Sequence, residues 1–546
     1  MVLLLFSCIL IIPVLAGWGK ITGSFFGSLY EGISANILSG ILGLSLIWTI
    51  LAFFIPINIY IEIPVILTGL FFFFRNKLYQ YFYYFSKKDI TLIAGISMII
   101  LYCSSFYPYI LDHFGYYVPT IQWLTEYGLV KGISNLDLTL GQMSVWHIFQ
   151  AGFSGFSDPF LRINALLLII YVMYIFERKS WIQLCFLPIL LLFSQSPSPD
   201  LPVITLSLII LNEILTGNKK SNLLFAFSAF VFAIKPTMIW LPILTFFFTV
   251  FTLKTKFSSL IFGFSILLLF FIKNIWTFGY PVFPVAIADL GIGWKPNPDI
   301  LNTSSQYAIQ KTFDMQYSYE EIQKFTFRDH VKNWLTLKGI KSKINLLFII
   351  SLILFTAFAF FKKKRIITII CLSLLIKSIF VLLFSAQYRF FIDVFFVIFF
   401  VVLFQYFNKK RSVFIFAAGS LILMFILTLP SFIQQYIPSF RPGSFMAGFK
   451  KEQLYKPSVY QYKKYNTFEV GNLRFNISEN YPFNFDTPLP AISESFLSDD
   501  VHSGIFPQCI DEKNIKKGFI WKKLSPKEKK EAEKVIHTIK NTDKQN

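Results

Sequence analysis

The sequence predicts an all-α polytopic membrane protein of about 12–14 transmembrane helices, with a small external α+β domain at its C-terminal end. Three observations carry this expectation. Of 546 residues, 55% are hydrophobic and 19% aromatic, including 67 Phe, while only 15% are charged; a soluble domain carries about 25% charged residues. Long apolar stretches recur along the chain, bounded by Lys and Arg. The basic clusters between them all fall on one side when successive spans alternate. This composition excludes a disordered chain, a collagen-like chain, a nucleic-acid-binding domain built on surface charge and one large soluble core. A net charge of +20 fits a membrane protein when it is confined to loops.

Taken in order, the apolar stretches are 2–17, 33–54, 58–74, 89–109, 160–176, 181–195, 201–216, 222–235, 237–253, 257–274, 344–361, 366–385, 390–407 and 413–429. Several are shorter than the ~20 residues an upright spanning helix needs. Met1–Leu15 lacks a basic flank and reads as a first membrane helix, not a signal peptide. The clusters Arg75/Lys77 with Lys87/Lys88, Arg178/Lys179, Lys219/Lys220, Lys254/Lys256, Lys362–Arg365 and Lys409–Arg411 mark the cytoplasmic side. A transmembrane domain of residues 1–429 follows, with external loops 110–159 and 275–343, and then an external soluble domain, 430–546. That last region offers strand candidates at Thr467–Phe475 and a terminal helix opened by the capping box Ser525-Pro526-Lys527-Glu528. Cys8, Cys103, Cys185, Cys371 and Cys509 form no CxxC pair, so neither a disulfide framework nor a zinc site is indicated.

The polar residues that solubility does not explain cluster at the external ends of spans. After the fourth stretch come Asp112, His113, Tyr116 and Tyr117; on a continuing helix Asp112 meets Tyr116, and His113 meets Tyr117. Pro119 then opens a short helix bearing Trp123, which Gly128 ends, and His147 follows further on. One reading is an interfacial aromatic belt with ordinary loop charges. The other makes Asp112 an acid placed to take a proton from a hydroxyl in a shielded cleft. Ser196-Pro197-Ser198-Pro199-Asp200 reads either as a Pro-rich turn with Asp200 as a helix N-cap, or as a second carboxylate facing the same cleft. Two such carboxylates could share a divalent metal, although the spacing demands none.

Three cations lie on the side that the positive-inside rule leaves unexplained: Lys235 before Pro236, Lys273 with Asn274, and Arg389. The two lysines either snorkel or, like Arg389, meet an anion, which is an internal carboxylate such as Asp393 or a phosphate headgroup. Lys377 lies mid-span with no partner evident in the sequence. Walker A, GxGxxG, HExxH and GxSxG motifs are absent.

This pattern resembles the GT-C superfamily of integral-membrane glycosyltransferases, which includes the protein mannosyltransferases and the aminoarabinose transferases of lipid A. The resemblance rests on Asp112-His113 with Tyr116 and the Trp123 helix, on Glu126–Leu136, on Ser196–Asp200, and on Lys273-Asn274 followed by Gly279-Tyr280-Pro281. It covers roughly residues 89–410. Three stretches precede the helix leading to the acidic loop, whereas the superfamily's usual first span leads straight into it, and Asp112-His113 stands where many members carry paired acids.

The resemblance implies a polyprenyl-phosphate-linked sugar as donor and an extracytoplasmic glycan, lipid or protein as acceptor. Asp112 is then the catalytic base of an inverting transfer. His113, Tyr116, Tyr117, His147, Asp200 and Asn274 bind substrate, and Lys235, Lys273 and Arg389 bind phosphate. The implied location is a bacterial cytoplasmic membrane, with no nucleic-acid partner and no certain cofactor. Two alternatives stay open: an O-antigen ligase- or polymerase-like enzyme using a lipid-diphosphate glycan, and a transporter or flippase without chemistry.

Overall fold

The computed structural model describes residues 1–436 and 448–544. Residues 437–447 and 545–546 of the expected C-terminal domain lie outside the described residues. The chain is 68% helical, and each of the fourteen apolar stretches falls on a helix. Among the described residues, seven helices are long and apolar enough to cross a membrane: Val2–Phe26, Ile33–Ala52, Pro236–Leu253, Phe257–Phe278, Ile340–Lys362, Arg365–Phe384 and Lys409–Thr428. The bent pair Ile59–Arg75 and Leu78–Tyr84, at 60°, makes an eighth when counted as one span. The remaining stretches form shorter helices such as Ile163–Arg178, Trp181–Phe193 and Ser221–Ile234.

Two compact units divide the chain. The first comprises Met1–Thr205, Leu268–Asn297 and Asn408–Asn546; the second comprises Leu206–Leu267 and Pro298–Phe407.

In the first unit the three N-terminal helices cross at backbone contact. A Cβ on Gly17 would lie 1.9 Å from the Gly69 carbonyl oxygen, and one on Gly19 only 1.6 Å from that of Asn36. Small residues permit such close packing between apolar helices. Glu62, buried within the third helix, accepts the backbone N–H groups of Phe156 (2.8 Å) and Ser157 (2.7 Å) and so anchors the loop 110–159. The short helix expected after Pro119 forms at Val118–Glu126. Gly128, at φ +78°, turns the chain so that Leu129 N–H reaches the Ala52 carbonyl at 2.7 Å.

The C-terminal segment carries the expected small strands. β1 (Tyr465–Val470) pairs antiparallel with β2 (Leu473–Ser478), and β3 (Ile505–Cys509) with β4 (Phe519–Lys523). The capping box forms as its sequence requires: Ser525 N–H donates to Glu528 and Glu528 N–H to Ser525 Oγ, opening helix Pro526–Lys544. This segment packs against the loop 110–159. Phe519 N–H donates to the Lys131 carbonyl (3.0 Å), Asn484 Nδ2 to Asp137 (3.3 Å) and Phe485 N–H to the Phe114 carbonyl (3.0 Å).

The second unit centres on helices Ile340–Lys362, Arg365–Phe384 and Ile392–Leu403. Phe348 stacks on Phe391 at 4.1 Å, and Trp334 Nε1 donates to the Ala386 carbonyl at 2.9 Å. Lys377 has a partner here: its ammonium pairs with Asp393, both buried.

Candidate active site

In the first unit, Asp112 opens a single π-helical turn, His113–Tyr117, which runs directly into the Val118–Glu126 helix. Such wide turns recur at functional sites because they rotate neighbouring side chains off the regular helical face. Here the turn carries Tyr117 inward, where it is 1% exposed, while Asp112 and Tyr116 stay partly exposed. The two tyrosine rings meet edge to face at 4.6 Å. The Tyr117 phenol sits well above its ordinary range, chiefly through burial, then through the charges of Tyr116, Asp112 and Asp200; the Ser198 hydroxyl pulls it back. The charges of Asp112 and Asp200, from two separate segments, thus both reach the Tyr117 phenol.

The loop carrying Asp200 is held from beneath. Asn164 Nδ2 donates to the carbonyls of Phe193 and Ser198, each at 2.9 Å, and its Oδ1 accepts Trp146 Nε1 at 2.8 Å. Gln195 Nε2 donates to the Cys103 carbonyl at 2.9 Å. Asp200 is the first residue of helix Asp200–Leu215 rather than its cap. The N-terminal end of a helix dipole favours its charge.

His147 is fully buried, with its ring 4.8 Å from Tyr117 and 6.1 Å from Tyr116. Burial and then the charge of Lys273 push the imidazole down to about 3, against the Pro197 carbonyl that pulls it up. His147 is accordingly neutral throughout the physiological range. His113 is also buried and sits well below its usual range, through burial and then the charges of Arg162 and His147.

Lys273 is 0% exposed, and its ammonium donates to the carbonyls of Gln142 (2.7 Å) and Met143 (3.0 Å). Met143 occupies φ +29°, ψ +67°, a conformation that costs a non-glycine residue of order 1–3 kcal/mol. That strain turns two successive carbonyls towards one cation. The neighbouring Asn274 donates to the Pro281 carbonyl at 2.8 Å and thereby ties down the Gly279-Tyr280-Pro281 turn.

Lys235 and Arg389 belong to the second unit. Lys235 lies 5.6 Å and Arg389 5.0 Å from the centroid of the same ring, Phe390. An aromatic face is a favourable neighbour for a cation, and here one ring gathers two of the three cations singled out in the sequence. Among the described residues, no three of His, Cys, Asp and Glu group so as to hold a metal ion.

A family model described as a domain of unknown function, DUF8201, matches residues 1–396. The chain belongs to the DUF8201 family. No curated protein and no solved structure matches it. Every candidate residue, from Asp112 to Arg389, lies within the DUF8201 match, whereas β1–β4 lie beyond it.

Several groups that shape this DUF8201 site are not evident from sequence alone. The Met143 carbonyl is one, since no motif announces a strained backbone. Asp158 is another: it accepts Gln150 Nε2 (3.1 Å) and Arg162 N–H (2.7 Å), and burial pushes its carboxyl up to about 7. Arg162 in turn donates to the carbonyls of Ser104 (2.9 Å), Phe160 (2.6 Å) and Ser458 (2.9 Å), fastening the segment that precedes Asp112. The signal for Glu62 was present, because an acid inside an apolar run needs a specific partner.

Proposed function

We propose that this DUF8201 protein is a membrane glycosyltransferase of GT-C type, moving a sugar from a polyprenyl-phosphate donor to an extracytoplasmic acceptor. The observation that carries the reading is the buried Tyr117 packed against the rings of Tyr116 (4.6 Å) and His147 (4.8 Å), directly after Asp112 and within reach of the charges of Asp112 and Asp200. Asp112, partly exposed as Asp200 also is, takes the proton from the acceptor hydroxyl. Asp200, at a helix N-terminus, orients the acceptor through its hydroxyls. Tyr116 offers a sugar-stacking ring at the same turn, and His147 supports it as a neutral group. In the second unit, Lys235 and Arg389 receive the donor phosphate, where a planar guanidinium suits two phosphate oxygens. Lys273, enclosed by carbonyls, holds the loop bearing His147.

The reading places the chain in a bacterial cytoplasmic membrane with about 12–14 spans, the shorter helices among them, and the strand-bearing segment outside. A lipid-diphosphate glycan donor, as in a ligase or polymerase, is favoured by the pairing of two cations on Phe390. The deciding experiment offers membranes containing the protein both a short-chain polyprenyl-monophosphate sugar and a lipid-diphosphate oligosaccharide. Transfer from the monophosphate, lost in Asp112→Asn with folding intact, supports the proposal. Transfer only from the diphosphate supports the ligase. Sugar-lipid flux without any product marks a transporter, and near-wild-type transfer by Asp112→Asn removes its assigned role.

A further inference from the structure

Resting on the reading of Lys235 and Arg389 as phosphate ligands, we infer that the buried Lys377–Asp393 pair, with Trp240, positions those two cations. Lys377 is 1% and Asp393 4% exposed, and both lie in apolar helices. A buried ion pair contributes little net stability against a well-packed apolar replacement, because desolvation offsets the attraction. Its presence inside apolar helices therefore points to a role in fixing geometry, and the geometry it fixes is specific. Asp393 divides its two oxygens: Oδ1 takes the Lys377 ammonium, and Oδ2 accepts Trp240 Nε1 at 3.0 Å. Lys377 Nζ also lies 3.9 Å from Met238 Sδ.

Met238 and Trp240 belong to the turn Pro236–Met238 and the helix Trp240–Phe247, which directly follow Lys235. Asp393 lies in the first turn of Ile392–Leu403, directly after the turn Tyr388–Phe390 that bears Arg389. One buried carboxylate thus joins the backbone segments that carry the two cations on Phe390. Cutting the link lets the Lys235 turn and the Arg389 turn drift independently. Two point charges that must meet one phosphate lose affinity when their spacing is no longer fixed.

The test titrates purified, detergent-solubilised protein with decaprenyl phosphate and, separately, with uncharged decaprenol, following tryptophan fluorescence. The double variant Lys377→Met/Asp393→Leu removes both charges together with the acceptor for Trp240, and apolar replacement of a buried pair is close to neutral for stability, so circular dichroism and the thermal midpoint should stay near wild type. Its affinity for decaprenyl phosphate should fall about tenfold, with decaprenol binding unchanged. Lys235→Gln should weaken phosphate binding and leave decaprenol binding unchanged, yet cost less in the double-variant background, because both changes act on the same pair of cations. Trp240→Phe leaves the ion pair whole and cuts only the link to the Lys235 turn; it too should weaken phosphate binding several-fold. Unchanged phosphate affinity in both the double variant and Trp240→Phe would overturn the positioning role. A wild-type protein that binds decaprenyl phosphate no better than decaprenol overturns the phosphate-site reading itself, and the inference with it.

Discussion

Asp112 and His147 differ in the kind of control their surroundings exert. Asp112 is partly exposed and stands at the start of a π-turn. Replacing it with Asn keeps the shape and removes the basic oxygen. Sugar transfer should drop by roughly 100- to 10,000-fold, the usual worth of a positioned base, with membrane insertion unchanged; product analysis by thin-layer chromatography checks it. His147 is held neutral by burial, with a folded-state value of about 3 against an ordinary 6.5. Between those values the unfolded chain binds a proton that the folded chain refuses, so this group's contribution to stability falls as pH falls below about 6.5. From pH 8 to pH 5 it amounts to about 2 kcal/mol lost. His147→Gln should therefore show a smaller drop in thermal midpoint between pH 8 and pH 5 than the wild type does. An equal drop in both proteins would mean that the imidazole titrates freely.

At the scale of elements, the loop 110–159 is set by its attachments more than by its own propensities. The helix Val118–Glu126 was legible from Pro119, the apolar Trp123 position and Gly128. The π-turn before it was not: a sequence that predicts a continuing α-helix through Tyr117 carries no mark of the extra residue per turn. Gly128 shows how tightly the loop is seated, since a Cβ there would lie 2.4 Å from the Ala52 carbonyl oxygen, at a φ that L side chains resist. Gly128→Ala should cost about 1–3 kcal/mol. It should lower the thermal midpoint and also reduce transfer, because the turn bearing Asp112 feeds directly into this helix. Asp200 illustrates the opposite case: its Pro-flanked turn was readable, and so was its helix start. The seating of its loop depends on Asn164 and Trp146, whose hydrogen bonds link segments that no local pattern connects.

For the whole molecule, composition and basic clusters identified the apolar helices, since hydropathy is a local property summed along the chain. Their lengths were less legible. Helices such as Ile163–Arg178 are packed so completely that an apolar run no longer reports how far the helix extends. The side of each loop is open to direct measurement. Lys513 and Lys363 are both exposed, the first in the C-terminal segment and the second in a basic cluster. Single Cys reporters at these positions, in a chain cleared of native cysteines, should react differently with a membrane-impermeant maleimide on intact spheroplasts. Lys513→Cys should label, and Lys363→Cys should label only after lysis. Equal labelling of both before lysis would contradict the orientation.

The contact between Phe485 and Phe114 has a consequence for biogenesis. The Phe485 N–H caps the Phe114 carbonyl inside the π-turn, and rings of the C-terminal segment surround it. Phe114 leaves the ribosome long before Phe485 does. The turn that orients Asp112 therefore lacks its cover throughout insertion of the intervening helices. In the proposed enzyme, catalytic competence would arise late, as a checkpoint on completed assembly, and a nascent chain stalled in the membrane would stay inert towards the lipid-linked sugars around it.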